Sequence, residues 1–177
     1  MDVKRPFNVF CAGRLAPDKN VQTLIRAIAL CPPWYYLRIA GDGEAKVRCE
    51  RIVQELGIQD QVTFLGHIPQ DSVYEEITKC DVMCTPSLFF EALSRASADG
   101  AQRGKPVIVS DRCGRIGFEC VVPAMNHHAW AKVFTLLNEE VNWWPERSRI
   151  DAVEKTVRKD SWWHIMLHGC TFTLGPN

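Results

Sequence analysis

The sequence predicts an α/β protein with a Rossmann-like open parallel sheet of about six strands and helices on both faces. Short apolar runs alternate with amphipathic stretches along the chain, which is the pattern of repeated strand–helix units. The runs are continuously apolar rather than alternating, as expected for strands buried on both faces of a parallel sheet. Right-handed crossovers place all carboxyl ends of such strands at one edge, where open α/β sheets bind ligands.

Each predicted element is bounded by glycine, proline or a polar residue. We expect Asp18 or Asn20 to cap the first helix, Asp71 or Ser72 the third, and Ser94 the fourth. The predicted strands cover residues 7–13, 35–40, 61–65, 81–85, 107–110 and 118–122. The predicted helices cover residues 21–30, 44–56, about 71–79, 95–103, 128–138, 145–159 and 162–167.

The composition is that of one ordinary globular domain, predicted to span residues 1–177. Lys plus Arg and Asp plus Glu both number 21, so nothing favours a nucleic acid or an anionic membrane as partner. No apolar run reaches the roughly 18 residues of a membrane span, and the start lacks a signal-peptide core. We therefore expect a cytoplasmic protein that does not span a membrane.

The eight cysteines have neither paired C-x-x-C spacing nor metal-like histidine spacing. Cys11, Cys80 and Cys84 fall in predicted core strands. We expect reduced, mostly buried thiols in an intracellular protein, and no metal site.

Two acidic residues, Glu91 and Asp99, follow the fourth predicted strand and lie eight positions apart. Carboxylates at such a strand-to-helix turn can accept hydrogen bonds from sugar hydroxyls. Two acids on one helix face are also commonly just solvated. The spacing by itself leaves both interpretations open.

The loop after the first strand carries two cations, Arg14 and Lys19, behind Gly13, which permits a close turn. A guanidinium, an ammonium and the amides of a helix N-terminus together suit a diphosphate. Alternatively, Arg14 pairs with Asp18 and Lys19 is simply exposed.

Further turns are predicted at the same edge. The helix capped by Ser94 begins there, so its N-terminus can point at the same anion. The backbone of His67 and Ile68 is placed to hydrogen-bond a planar base. His67 is disfavoured as a catalytic base, because a turn histidine more often packs or meets solvent.

Taken in order, these residues resemble the C-terminal, donor-binding domain of retaining glycosyltransferases of the GT-B fold, family 4 of the glycosyl transferases group 1. The resemblance extends from residue 7 to about residue 165. It is carried by Gly13-Arg14-Leu15 with Lys19, Ile39-Ala40-Gly41-Asp42-Gly43-Glu44, Val62-Thr63-Phe64-Leu65-Gly66, Cys80-Asp81-Val82, Pro86-Ser87 with Glu91 and Asp99, and Gly104-Lys105-Pro106-Val107-Ile108.

The resemblance implies transfer, with retention, of a hexose-type sugar from a UDP-sugar or GDP-sugar to a glycan, lipid or small-molecule acceptor, without a metal or other cofactor. Arg14 and Lys19 match the diphosphate-binding pair, Glu91 the acid that contacts the donor sugar, and Asp99 the acid that holds the ribose. The turn at His67 and Ile68 matches the nucleobase site. The implied residues are Arg14, Lys19 and Glu91 for catalysis, and Gly13, Gly43, His67, Ile68, Ser94 and Asp99 for donor binding.

The chain departs from the family pattern where the second acid is Asp99 and where Ala92-Leu93-Ser94 replaces Gly-Phe-Gly. The family's acceptor domain is not found in the 177 residues, so we expect an excised domain or one subunit of a split enzyme, inactive until an acceptor domain or subunit joins it.

Two other classes stay open. One is a non-catalytic nucleotide-binding or interaction subunit, for which the pairs Trp143-Trp144 and Trp162-Trp163 would form either a docking face or core. The other is a dinucleotide-binding oxidoreductase domain, which the missing G-x-G-x-x-G motif disfavours.

Overall fold

A computed structural model of the chain describes residues 5–89, 94–113 and 119–139 and contains a six-stranded sheet with helices on both faces. This confirms the predicted fold class. The strands are β1 (Phe7–Ala12), β2 (Tyr35–Ala40), β3 (Val62–Gly66), β4 (Val82–Thr85), β5 (Val107–Ser110) and β6 (Glu119–Val122). The helices are α1 (Val21–Ile28), α2 (Lys46–Leu56), α3 (Gln70–Lys79), α4 (Arg95–Gln102) and α5 (His127–Glu139), with a 3₁₀ turn at Pro17–Lys19.

The strands are parallel and lie in the order β3-β2-β1-β4-β5-β6. The chain builds one half of the sheet outward from β1, then crosses over and builds the other half outward from β4. The order therefore reverses between β1 and β4, and the loops that follow these two strands diverge to opposite faces. Such a switch point opens a crevice at the carboxyl edge of the sheet.

Each face of the sheet is covered by its own core. Successive residues of β1 alternate between them: Val9 and Cys11 lie in the larger core and Phe10 in the smaller. The larger core is closed by α1, α2 and α5, and the fully buried Trp130 of α5 packs within it. The smaller core lies under α3 and α4. Burial on both faces explains why the strands are continuously apolar.

Most predicted boundaries agree with the structure to within two residues. Asn20 occupies the N-cap position of α1, but its side chain makes no capping hydrogen bond. Two other predictions are wrong. The third helix begins directly after Pro69, whose backbone is extended, and no side chain caps it, so neither Asp71 nor Ser72 is its cap. Cys80 ends that helix instead of lying in a strand, although its thiol is buried. Burial without strand geometry arises because the helix end packs directly against the sheet.

Six of the seven cysteines in the described part of the chain are buried, and Cys31 is half-buried. Trp34 is also half-buried. The two tryptophan pairs, and the helices predicted for residues 145–159 and 162–167, lie outside the described residues. Among the helices that the structure describes, none is long and apolar enough to cross a membrane.

Candidate functional site

A cleft of about 530 Å³ lies at the carboxyl edge of the sheet, beside the switch point. Five predicted site residues, which come from two separate loops and one helix, line it together. They are Gly13, Arg14, His67, Ile68 and Asp99. The rest of the lining is formed by Ala12, Ala40, Gly41, Asp42, Gln70, Val73, Arg95 and Ala96.

The first wall of the cleft is the loop after β1. Its backbone continues beside the loop after β2, because Gly13 N–H donates to the Ala40 carbonyl at 3.0 Å and Leu15 N–H to the Asp42 carbonyl at 2.9 Å. This extension of the ladder fixes Arg14 at the mouth of the cleft. The Arg14 guanidinium also lies 3.6 Å from the Asp18 carboxylate, and 66% of its side chain is exposed. The pairing of Arg14 with Asp18 is therefore observed, and its diphosphate role stays a prediction.

A smaller recess of about 50 Å³ continues from the cleft at the switch point between β1 and β4. Four predicted site residues line it: Gly13, Arg14, Lys19 and Ser94. The recess thus combines two cationic side chains with the start of α4. The leading amides of a helix carry partial positive charge, so this combination favours an anion.

Ser94 acts as the N-cap of α4, as predicted, with its hydroxyl accepting from the Ser97 N–H at 3.4 Å. Beneath it, the hydroxyl of Thr85 lies 2.8 Å from that of Ser97 and 3.3 Å from that of Ser94. All three hydroxyls are buried. They fasten the start of α4 to the end of β4 and so set the position of the helix N-terminus at the recess.

Asp99 lies one turn into α4, on the side of the cleft that also carries His67 and Ile68. Gln70, at the start of α3, donates from its side-chain amide to the Asp99 carboxylate at 3.3 Å. The side chain of Asp99 is half-buried, and that of His67 is exposed. A carboxylate and two backbone turns therefore face a shared space bounded by the apolar side chains of Ile68 and Val73.

Asp42 and Arg95 line the cleft but were not singled out from the sequence. The Gly43 N–H donates to the Asp42 carboxylate at 2.7 Å and, together with the nearby Lys46 ammonium, lowers its pKa. Arg95 begins α4 and precedes Asp99 by four residues, so it shares the face of the helix that carries Asp99. That helical spacing was the signal that could have identified Arg95.

Gly43 lies outside the lining of both cavities. A Cβ atom at this position would come within 2.4 Å of the Leu15 carbonyl oxygen, and its φ is +152°. Close packing of two loops therefore accounts for this glycine, and its contact with a donor stays a prediction. Glu91 lies outside the described residues, so its role also stays a prediction.

Within residues 5–89, 94–113 and 119–139, no group of three or more His, Cys, Asp or Glu side chains is arranged to hold a metal ion. In the described part of the cleft and the recess, the positive groups that could face an anion are the side chains of Arg14, Lys19 and Arg95 and the first amides of α4.

A parallel sheet with this strand order and a cleft at its switch point defines a Rossmann-like domain of the kind found in GT-B glycosyltransferases. Residues 3–119 match the model of the family "Glycosyl transferases group 1", and the chain belongs to this family.

Similar proteins carry several names. An exopolysaccharide phosphotransferase of Streptomyces coelicolor is 34% identical over 101 residues, 55% of this chain and 10% of that protein. A D-inositol 3-phosphate glycosyltransferase of Corynebacterium glutamicum is 28% identical over 169 residues, 85% of this chain and 39% of that protein. The chain thus spans far less than two thirds of the length of these relatives.

Solved structures share the fold. The HepE protein of Anabaena in complex with UDP superposes with a TM-score of 0.72 at 19% identity, over 94% of this chain and 50% of that one. The catalytic domain of a cholesterol-alpha-glucosyltransferase from Helicobacter pylori superposes with a TM-score of 0.67 at 19% identity, over 86% of this chain and 98% of that domain. At these identities the likeness establishes the fold.

Proposed function

We propose that the chain is the donor-binding domain of a retaining glycosyltransferase and binds a nucleotide-diphospho-sugar at the carboxyl edge of its sheet. The donor is a UDP-sugar or a GDP-sugar, from which a hexose-type sugar passes to a glycan, lipid or small-molecule acceptor. The observation that carries the proposal is the convergence of five predicted site residues, from three separated segments of the chain, on one cleft with a cationic recess beside it.

The diphosphate occupies the recess in this proposal. Arg14 can offer its guanidinium fork and Lys19 its ammonium to phosphate oxygens, while the start of α4 points its amides at the same position. Negative charge builds up on the diphosphate as the bond to the sugar breaks. Positive groups that are already in place stabilise that charge more in the transition state than in the ground state, and so accelerate the step.

The nucleoside occupies the larger cleft. The Asp99 carboxylate accepts hydrogen bonds from the ribose hydroxyls, and the base lies against the backbone of His67 and Ile68. The hydrogen bond from Gln70 keeps the Asp99 carboxylate turned toward this space. Support for a uridine nucleotide comes from the relatives of known structure, since HepE was crystallised with UDP and with UDP-glucose.

Transfer itself requires an acceptor. We propose that the acceptor is held by a further domain or subunit that closes over the carboxyl edge, with Glu91 contacting the donor sugar between the two halves. Departure of the diphosphate and attack of the acceptor then occur on the same face of the sugar, which retains the anomeric configuration. Arg14, Lys19 and the α4 amides take the place of a metal in neutralising the leaving group.

The proposal is tested by titrating the chain with UDP, GDP and ADP and with the corresponding nucleotide-sugars, using isothermal calorimetry and thermal shift. We expect UDP or GDP to bind and to raise the melting temperature, because a ligand that binds the folded state stabilises it. The Arg14→Ala variant should lose roughly tenfold or more in affinity, the scale of one charge-assisted hydrogen bond.

Arg51→Ala is the matched control. Arg51 on α2 is 68% exposed and pairs with Glu55 four residues on, as Arg14 is 66% exposed and pairs with Asp18, but it lies away from the cleft. Both substitutions remove one exposed cation and one ion pair. Equal affinities for the two variants would refute the phosphate role of Arg14. A wild-type chain that binds no nucleotide at millimolar concentration would refute the proposal.

A further inference from the structure

A buried asparagine, Asn20, joins three loops at the carboxyl edge. Its side-chain amide donates to the Pro86 carbonyl after β4 at 3.2 Å and to the Ala124 carbonyl after β6 at 2.7 Å. Its side-chain oxygen accepts from the Thr23 hydroxyl at 3.0 Å and from the Gln22 amide at 3.5 Å. The amide of Asn20 therefore bridges the two halves of the sheet across the switch point.

Other hydrogen bonds close the same loops into a ring. The Ser110 hydroxyl, at the end of β5, donates to the Ser87 carbonyl at 2.6 Å. The Ala124 N–H donates to the Asp111 carboxylate at 3.0 Å. The loops after β1, β4, β5 and β6 are thus linked in a closed circuit, and the Asn20 side chain supplies two of the links to the β1 loop.

The backbone conformation of Asn20 is unusual for a residue that carries a side chain. Only 3% of the residue is exposed, and its φ of +52° is the sole positive value among the described residues other than glycine. Asparagine tolerates this left-handed conformation better than most residues, while glycine adopts it without strain. A glycine would satisfy the backbone here, so the buried amide and its two acceptors account for a side chain at this position.

We infer that Asn20 is a positioning residue for the diphosphate recess, an inference that rests on the proposed function. Lys19 and Pro86 line the recess, whereas Asn20 does not. Asn20 adjoins Lys19 in the chain and holds the Pro86 carbonyl directly. A backbone link from the Leu88 N–H to the Asp18 carbonyl at 2.7 Å joins the same two loops. Asn20 therefore sets the width of the recess between the β1 and β4 loops together with this backbone bond.

Changing the amide to a carboxylate breaks this spacing while nearly preserving side-chain volume. In the Asn20→Asp variant, a carboxylate oxygen faces the Pro86 and Ala124 carbonyls, so two attractive contacts become repulsive. The β1 and β4 loops then separate around the diphosphate. The nucleoside portion of the cleft, formed by Ile68 and Asp99, lies beyond this linkage and is left as it was.

The test compares affinities for UDP and for uridine, or for GDP and guanosine where the guanine nucleotide is the one that binds, by calorimetry and NMR titration of the full chain. For Asn20→Asp we expect the diphosphate to bind about tenfold more weakly, the equivalent of one or two hydrogen bonds. The nucleoside should bind as it does to the wild type. A general loss of stability would weaken both ligands equally and would overturn the positional role.

Gln61→Glu is the matched control. The Gln61 side-chain amide also donates to two backbone carbonyls, those of Pro32 and Tyr35 at 3.1 Å each, but at the amino edge of the sheet. The same amide-to-carboxylate change there should lower the melting temperature without changing affinity for the diphosphate. A loss of diphosphate affinity equal to that of Asn20→Asp would overturn the inference.

Asn20→Gly serves as the second variant in case Asn20→Asp does not fold. It removes the bridging amide and keeps the left-handed backbone, so it should also weaken the diphosphate relative to the nucleoside. Unchanged diphosphate affinity in a folded Asn20 variant refutes this inference and leaves the proposed function standing. A wild-type chain that binds neither UDP nor GDP refutes the proposed function, which is a separate and recognisable outcome.

Discussion

The two edges of the same sheet differ in what their charged side chains contact. At the amino edge, side chains satisfy the chain's own backbone: the Lys105 ammonium donates to the Thr78 and Cys80 carbonyls at 2.7 and 2.8 Å, and the Asp81 carboxylate accepts from the Asn8 N–H at 2.7 Å. At the carboxyl edge, charged side chains line a cavity instead. The contrast indicates that one edge stabilises the fold and the other is available to a ligand.

The difference follows from topology. The loops at the carboxyl edge diverge at the switch point, so a gap forms there, whereas chain segments at the amino edge run closely past one another. The gap must still be held at a fixed width. Buried links such as those of Asn20 and Ser110 serve this purpose, leaving the side chains of Arg14 and Arg95 to face the space between the loops.

The largest expected effect concerns Gly43, which connects the fold to the carboxyl edge. Gly43→Ala should lower the free energy of unfolding by about 2–3 kcal/mol, because its Cβ meets the Leu15 carbonyl in a strained backbone conformation. Gly57→Ala is the control, since a Cβ there meets no described atom within 4 Å, and it should cost about 1 kcal/mol for the left-handed backbone. Chemical denaturation measures both.

A Gly43→Ala variant with unchanged stability and weakened nucleotide binding would contradict the packing role of Gly43. Gly43 would then act through direct contact with the donor, as the resemblance to the family implied, and the packing explanation would be wrong.

Two lysines allow the edges to be compared directly. Lys105→Met should lower the free energy of unfolding by about 1.5–3 kcal/mol, the range for hydrogen bonds from a charged donor, and leave nucleotide affinity unchanged. Lys19→Met should weaken nucleotide binding, because Lys19 lines the recess, and should change the free energy of unfolding less than Lys105→Met does. Denaturation curves and calorimetric titrations on both variants provide the comparison. Two variants with the same profile would remove the functional distinction between the edges.

The smallest expected effect concerns the ion pair that competes with the ligand for Arg14. Asp18→Asn removes a partner 3.6 Å from the guanidinium, and exposed pairs of this kind are worth at most about 1 kcal/mol. We therefore expect nucleotide affinity to rise by up to about fivefold. Weaker binding in this variant would indicate that Asp18 orients Arg14 toward the diphosphate instead of competing with it.

The sequence predicted the strands and the sheet edge at which the cleft lies, because continuous apolar runs and parallel crossovers determine both. Ser94 could be identified as a cap from local pattern alone. The links made by Asn20 could not, since its two acceptors lie 66 and 104 residues away in the chain. Asp42 was missed as a cleft residue because its position also depends on a contact between distant segments: the β1 loop runs beside it.

The most direct test of the difference between the edges is an NMR titration of the isotope-labelled chain with UDP and GDP. We expect amide shifts to change at the carboxyl edge, at Gly13, Arg14, Ile68 and Ala96, while Gln61 and Lys105 at the amino edge stay in place. Shifts concentrated at the amino edge, or no shifts with either nucleotide at millimolar concentration, would contradict the assignment of the carboxyl edge as the donor site.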